Sequence, residues 1–264
     1  MNKEHISFSQ LKTVEECPYE YYLMKMVGVD PAENAFAQAG TLAHQLLVRW
    51  AKGEIPIEEL PDQWMKQFNE TVTDEFPAYL KGYREKLFNS ILLYFETFDG
   101  FSEYEIVGAE KEFNSSIAGE CFVGIIDLIL RNKEGGLVIV DHKSCSLSSF
   151  RKNKNQMYRQ LLLYSKYCAD EYGTFPDTLR FNLFKEGTYD ERPFDQKEYV
   201  AARQWAESVI ENMKSKDITD WFETRPELFR CTNLCNCRME CPFGKTENHK
   251  RKENEYGKRV PVAA

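Results

Sequence analysis

The sequence contains no hydrophobic run long enough to span a bilayer, no apolar segment following Met1 and no internal repeat. We therefore expect a cytoplasmic protein with no membrane partner. Positive charge is also scarce, since 34 Lys and Arg face 42 Asp and Glu, for a net charge of -8. This balance argues against a broad phosphate-binding surface, although a local basic groove remains compatible with it. The clearest basic run is Arg151-Lys152-Asn153-Lys154, which we expect to guide a phosphate backbone or to form a solvated surface.

Hydrophobic residues make up 42% of the chain and charged residues 29%, as in ordinary globular proteins. A chain of 264 residues allows one sizeable core with a small appended element. The periodicity predicts a helical region over 1–100, a region rich in strands over 101–216, a cysteine-rich element over 217–244 and a flexible basic tail over 245–264.

Finer boundaries follow from caps, periodicity and turn residues. Ser7 or Ser9 is the expected cap of the first helix. The other predicted helices cover 41–50, 63–98, 155–172 and 195–216, and the predicted strands cover 104–113, 121–130, 137–143 and 178–185.

Two apolar runs of strand type each carry one acid, Asp127 within 124–129 and Asp141 within 137–143. The turn between them is short, so we expect an antiparallel hairpin that brings the acids together. A charge surrounded by Val, Ile and Leu is costly to bury unless it is paired, and a divalent cation would pair it. Asp-x-Lys is a short motif, and by itself it also fits a strand end with Lys143 as a surface partner.

Five motifs occur in one order along the chain. They are Gly40-Thr41-Leu42-Ala43-His44, Glu110, Gly124-x-x-Asp127, Asp141-x-Lys143 and Gln160-Leu161-Leu162-Leu163-Tyr164. In this order the chain resembles the RecB-like branch of the PD-(D/E)xK nuclease superfamily, which includes AddB-type nucleases and the CRISPR-associated adaptation exonucleases. The opening Ile6–Leu11 and the sequence Cys17-Pro18-Tyr19 are similar to that branch as well, so the resemblance extends from about residue 6 to 242.

The resemblance implies a role for each matched position. Asp127 and Asp141 correspond to metal-binding acids, the main-chain carbonyl of His142 to a further ligand, and Lys143 to the catalytic lysine. His44 corresponds to a histidine that approaches the metal. The remaining implied site residues are Glu110 as the acid of the first core strand, with Glu112 as the alternative, and Gln160 and Tyr164 as residues that line the site and contact DNA. Position 142 is often aromatic in this branch and is histidine here.

The resemblance also implies a fold and an activity. The fold is an α/β, restriction-endonuclease-like core with a mixed central sheet flanked by helices, a helical N-terminal region and a C-terminal cysteine-rich element, all in one domain over 1–244. The activity is that of a Mg²⁺- or Mn²⁺-dependent DNA nuclease, expected to be an exonuclease at DNA ends or in single strands, in recombination, repair or related DNA processing. Its partners would be DNA and a helicase or recombination protein. The alternative is a non-catalytic nucleic-acid-binding or recombination-partner protein with a structural zinc or iron-sulfur site.

Eight cysteines in a chain expected in a reducing compartment favour metal binding over disulfides. In iron-sulfur members of the branch, one N-terminal cysteine and a C-terminal Cys-x2-Cys-x5-Cys-Pro run bind a [4Fe-4S] cluster. The resemblance implies that Cys17, Cys231, Cys235 and Cys241 are the ligands, with Cys237 as the alternative, because Thr232 stands where the run requires a cysteine. Zinc held by the four C-terminal cysteines is the other interpretation, but it leaves Cys17 unexplained. Cys121, Cys145 and Cys168 are expected to be small buried hydrophobic residues.

Overall fold

The structure is a computed structural model that describes residues 5–244, so the predicted tail over 245–264 lies outside the described residues. Its strands are β1 (Ile6–Ser7), β2 (Glu105–Ile117), β3 (Glu120–Arg131), β4 (Leu137–His142), β5 (Thr178–Leu183) and β6 (Thr188–Pro193). Its helices are α1 (Phe8–Glu16), α2 (Pro18–Tyr22), α3 (Ala35–Ala51), α4 (Leu60–Thr71), α5 (Tyr83–Thr97), α6 (Leu147–Tyr172) and α7 (Gln196–Ser215). Three short 3₁₀ turns and two π-helical turns complete the described chain, at Ile57–Glu59, Phe184–Glu186, Ile218–Phe222, Leu23–Val27 and Arg230–Leu234.

The six strands form one mixed sheet. β3 pairs antiparallel with β2 along its length, antiparallel with β4 and, over two residues, parallel with β1. β4 and β5 are parallel, with α6 between them in the chain, and β6 closes the edge antiparallel to β5. All six residues of β4 are buried, as expected for a strand covered on both faces.

Helices cover both faces of this sheet. α1, α6 and α7 contribute to a core that includes Phe8, Phe150 and Ile210 on one face. On the other face, Leu128 and Val140 belong to a smaller cluster against which Trp50 of α3 packs, and α3, α4 and α5 share a core of their own. The predicted mixed sheet flanked by helices, with a helical N-terminal region, is therefore confirmed.

Several boundaries differ from the predictions. α6 begins at Leu147 rather than at residue 155, because the Ser146 hydroxyl accepts a hydrogen bond from the Ser149 amide and caps the helix. The pattern predicted as helical over 63–98 is two helices, α4 and α5, separated by a segment that contains Pro77 and Gly82, the latter at a φ of 66°. β6 was not predicted, because an exposed edge strand lacks the apolar alternation that marks a buried one.

Other expectations hold. Ser7 rather than Ser9 caps α1, and β3 and β4 form the expected antiparallel hairpin. No helix within residues 5–244 is both long and apolar enough to cross a membrane. The division of residues 1–244 into regions of one domain stays a prediction.

Candidate active site

The β3–β4 hairpin brings the two predicted acids together. Leu128 pairs with Val140, so Asp127 and Asp141 lie one residue beyond this pair at the same end of the hairpin. Asp141 is only 3% exposed. The Asp127 carboxylate is held by the main-chain amide of His142, at 2.8 Å from Oδ2.

His44 reaches the same place from α3. Its Nε2 lies 3.1 Å from Asp127 Oδ2 and 4.0 Å from Glu110 Oε1. Gly40, one helical turn earlier, permits this approach, because a Cβ there would lie 2.7 Å from the Ser144 hydroxyl. His44, Glu110 and Asp127 offer one ligand atom each, all within 4.8 Å of one another. An imidazole with two carboxylates is a donor set that can hold a divalent metal ion.

Glu110 has an unusual backbone conformation for its position. It lies inside β2 but has a φ of 50°, in the left-handed region that is unfavourable for a side chain by about 1–3 kcal/mol. Strain of this kind persists where the surroundings impose it, and here the carboxylate reaches the His44–Asp127 pair. Glu112 instead lines a separate groove beside His5 and Tyr164, so the geometry places Glu110 at the site.

Lys143, Asp141 and Gln160 form a closed trio beside the three candidate ligands. The Lys143 ammonium is 2.7 Å from Asp141 Oδ2 and donates to Gln160 Oε1 at 3.1 Å. The Gln160 amide nitrogen donates to Asp141 Oδ1 at 2.8 Å. Gln160 of α6 thus fixes the positions of Asp141 and Lys143 relative to each other.

Burial and charge shift the pKa values at this site in different directions. Burial raises the pKa of Asp141 to about 6, with Lys143 opposing the shift and Asp127 adding to it. Burial also acts on Asp127, but the hydrogen bond from His44 and the neighbouring cations outweigh it, so the pKa of Asp127 is lowered. For His44 and Lys143 the nearby carboxylates outweigh desolvation, and both pKa values are raised. The site therefore favours a charged lysine.

Tyr164 lies one turn beyond Gln160 on α6 and is mostly covered. It is 6% exposed, and its ring meets that of Phe113 edge-on at 5.1 Å between centroids. A Cβ at Gly124 would lie 2.8 Å from the Tyr164 ring, so the glycine makes room for the tyrosine over β3. Desolvation raises the pKa of Tyr164, and the hydroxyl stays protonated.

A profile of the PD-(D/E)XK nuclease superfamily matches residues 5–242. The chain belongs to this superfamily. Membership of this superfamily implies a hydrolase that acts on nucleic acid. His44, Glu110 and Asp127 are placed to hold a metal ion. The RecB-like branch stays a prediction.

Two solved structures are similar to this chain. A protein from Eubacterium rectale named "Putative exonuclease" is 16% identical, with a TM-score of 0.52 over 91% of this chain and 89% of that one. A protein named SSO0001 is 14% identical, with a TM-score of 0.40 over 92% of this chain and 88% of that one. No curated protein matches the chain. At this identity the first comparison supports the fold alone.

The PD-(D/E)XK site has a second layer that the sequence did not indicate. The His142 ring is buried, and its Nδ1 lies 2.8 Å from Asn182 Nδ2, which also donates to the Tyr94 hydroxyl at 2.8 Å. Burial lowers the pKa of His142 to about 4, so the ring is neutral. Asn182 and Tyr94 come from β5 and α5, far from His142 in the chain. No local sequence motif predicts their contact with His142.

All five candidate cluster cysteines line one pocket between the two ends of the chain: Cys17, Cys231, Cys235, Cys237 and Cys241. The thiols of Cys231 and Cys237 each interact with those of Cys17 and Cys241. The Cys237 Sγ also donates to the main-chain oxygen of Glu20 at 3.7 Å. Of the three other cysteines, Cys168 is buried as expected, whereas Cys121 and Cys145 are only half-buried.

The basic run 151–154 lies in the first turns of α6. Lys154 pairs with Asp190 at 2.8 Å, and Arg151 and Lys152 are exposed on the helix surface. The lysines that do line a groove next to Lys143 are Lys86 and Lys185. Sequence patterns did not single these two out, because they are isolated lysines on different elements.

Proposed function

We propose that the protein is a Mg²⁺- or Mn²⁺-dependent DNA nuclease of the RecB-like branch. It would be an exonuclease acting on DNA ends or single strands in recombination, repair or related DNA processing, alongside a helicase or recombination partner. The observation that carries the proposal is the convergence of His44, Glu110 and Asp127 beside the Asp141–Lys143 pair. A binding module has no need of this combination.

His44, Glu110 and Asp127 would hold the metal ion, with Asp141 and the His142 carbonyl as further ligands. The bound ion would neutralise charge on the scissile phosphate and lower the pKa of a water. The donor set fits this, because carboxylate oxygens suit hard divalent cations and imidazole is compatible with Mn²⁺.

Lys143 contributes a fixed positive charge. Its ammonium is held by Asp141 and Gln160, and its raised pKa keeps it protonated. We assign it to stabilising the negative charge that develops on the phosphate, or to orienting the attacking water. Gln160 is a positioning residue, and Tyr164 packs over β3 and completes the wall of the site.

The test compares Asp141→Asn with a matched control, Glu70→Gln, which changes an exposed acid on α4. End-labelled linear DNA and circular DNA are digested with Mg²⁺ or Mn²⁺. We expect Asp141→Asn to reduce cleavage at least a hundredfold, about 3 kcal/mol of transition-state stabilisation, while the control cleaves like the wild type. Unchanged cleavage by a folded Asp141→Asn protein would contradict the proposal. Binding to DNA in EDTA, together with no cleavage in Mg²⁺ or Mn²⁺, would favour the non-catalytic alternative. Cleavage of circular DNA would exclude a strict exonuclease.

We further propose that the cysteine pocket holds a [4Fe-4S] cluster. Cys17 lines this pocket together with the four C-terminal cysteines, and a zinc site made of those four alone would not account for it. The proposed ligands are Cys17, Cys231, Cys235 and Cys241, with Cys237 as the alternative to Cys231, and all five cysteines line the pocket.

A further inference from the structure

A second groove opens directly beside the candidate active site, which we call the lysine groove. We define it by six of its lining residues: Phe36, Lys86, Ser144, Ser149, Lys185 and Phe229. Ser144 follows Lys143 in the chain, and Gly40 of α3 packs against it one turn before His44. The groove therefore begins where the Asp-x-Lys motif ends, and it extends to the segment that precedes the cysteine-rich turn.

The charge of the lysine groove is opposite in sign to that of the whole chain. Lys86 is exposed, and Lys185 is held in the wall, 13% exposed, with its ammonium 3.3 Å from the Tyr83 hydroxyl. Among the described residues that line the groove, the one acid is Glu186, which is 3.5 Å from the Lys185 ammonium. By contrast, the groove lined by Glu112 and Tyr164 contains no lysine or arginine among its described lining residues. Of the two openings, the lysine groove is the one that suits a polyanion.

The walls of the lysine groove also carry serine hydroxyl groups near the lysines and aromatic rings at the far end. Ser144 and Ser149 are exposed beside the lysines, and serine hydroxyls are common donors to phosphate oxygens. At the far end, the Phe229 ring is 37% exposed and is braced edge-on by Phe36, at 6.0 Å between centroids and 70° between planes. A partly exposed aromatic ring held by a neighbouring ring can stack on an unpaired base.

We propose that the lysine groove binds single-stranded nucleic acid that flanks the scissile phosphate. The phosphates contact Lys86 and Lys185, and one base stacks on Phe229. A duplex stacks its own bases and offers no free base face inside the strand, so the exposed ring selects a single strand. The inference rests on the proposed nuclease function, because it takes the phosphate beside Lys143 as the starting point of the strand.

The test measures binding of a fluorescent single-stranded oligonucleotide in EDTA, so that cleavage does not interfere. The variants are Phe229→Ala, Phe229→Trp and Lys86→Ala, with Met65→Ala and Lys66→Ala as exposed controls on α4. We expect Phe229→Ala to weaken binding about tenfold and Phe229→Trp to retain it. Lys86→Ala should reduce the slope of log K against log salt by about 0.7, the change for one phosphate contact on a single strand. The controls should bind within about twofold of the wild type.

The outcomes separate this inference from the nuclease proposal. If Phe229→Ala and Lys86→Ala bind like the wild type, and the wild type shows normal metal-dependent cleavage, the proposed binding role of the lysine groove is wrong. The proposed nuclease function then stands. If the groove variants weaken binding but the wild type does not cleave in Mg²⁺ or Mn²⁺, the proposed nuclease function is wrong. The proposed binding role of the lysine groove is then supported. Equal wild-type affinity for a blunt duplex of the same length overturns the preference for a single strand. Recovery in Phe229→Trp distinguishes stacking from a folding defect in Phe229→Ala.

Discussion

At Asp141, burial and two neighbouring charges act in different directions on one carboxyl group. Burial and Asp127 raise its pKa, and Lys143 opposes them, which leaves a pKa of about 6 instead of 3.8. The protonated form is therefore populated in metal-free protein at mildly acidic pH. In its proposed role as a metal ligand, Asp141 must be ionised, and this would couple ion binding to pH.

We expect the affinity for Mn²⁺ to fall as the pH is lowered from about 8 to about 5, by about tenfold per pH unit for each proton displaced. The sign follows from raised pKa values, since Asp141 and His44 both retain protons that metal binding must remove. Titration calorimetry at several pH values measures it, and Asp141→Asn should show a shallower dependence. An affinity that is independent of pH in the wild type would contradict this account.

Asn182 is the residue whose removal should disturb the buried layer behind the site. Asn182→Leu leaves His142 Nδ1 and the Tyr94 hydroxyl without their partner in a buried place, which costs about 1–3 kcal/mol for an unsatisfied polar group. We expect a lower free energy of unfolding in urea and a weaker affinity for Mn²⁺, because the His142 amide holds Asp127. Asn212→Leu, at an exposed position of α7, is the matched control. Equal stability of the two variants would contradict this expectation.

At the scale of elements, α6 is the helix that places Gln160 beside the Asp-x-Lys motif. It crosses the sheet between β4 and β5 and presents Gln160 to both Asp141 and Lys143. Its cap at Ser146 starts the helix three residues after Lys143, so the motif and the helix are joined by a short, fixed connection. The position of Gln160 thus depends on where the helix begins.

Replacing Ser146 with alanine should lower the free energy of unfolding by about 1 kcal/mol, because the Ser149 amide loses its acceptor. Chemical denaturation of Ser146→Ala measures this. Ser208→Ala, at an exposed interior position of α7, should have no such effect or a slightly stabilising one. A loss of the same size in both variants would show that the cap is not the cause.

At the scale of the whole molecule, the C-terminal segment is clamped to the N-terminal one. Arg230 pairs with Glu16 at 3.3 Å and also contacts Glu20, and the Ala32 amide donates to the carbonyl of Asn236 at 2.8 Å. The cysteine pocket lies between these contacts. A bound cluster would therefore join two segments that lie at opposite ends of the chain.

Cys17→Ser should remove most of the iron and sulfide from anaerobically purified protein and lower its melting temperature, since a structural metal group contributes to folding. Cys231→Ser should retain the iron if Cys237 is the ligand, and Cys121→Ser, a cysteine of β3, is the control. Iron, sulfide and zinc analysis of the three variants measures this. A colourless wild type that contains zinc and no iron would exclude the cluster.

The sequence by itself determined the two acidic strands, the Asp-x-Lys motif and the helices that carry His44 and Gln160. These are local patterns, since alternating or continuous apolar residues and caps act over a few positions. These patterns did not predict the early start of α6 or the edge strand β6, because a serine-rich run and a polar strand resemble loops in sequence.

Only the tertiary structure decided which distant groups meet. It placed Glu110 rather than Glu112 beside His44, joined Asn182 and Tyr94 to His142, and gathered Lys86 and Lys185 in one groove. Such contacts depend on strand order, helix packing and backbone strain, which couple residues far apart in the chain and leave no periodic signal at any single position.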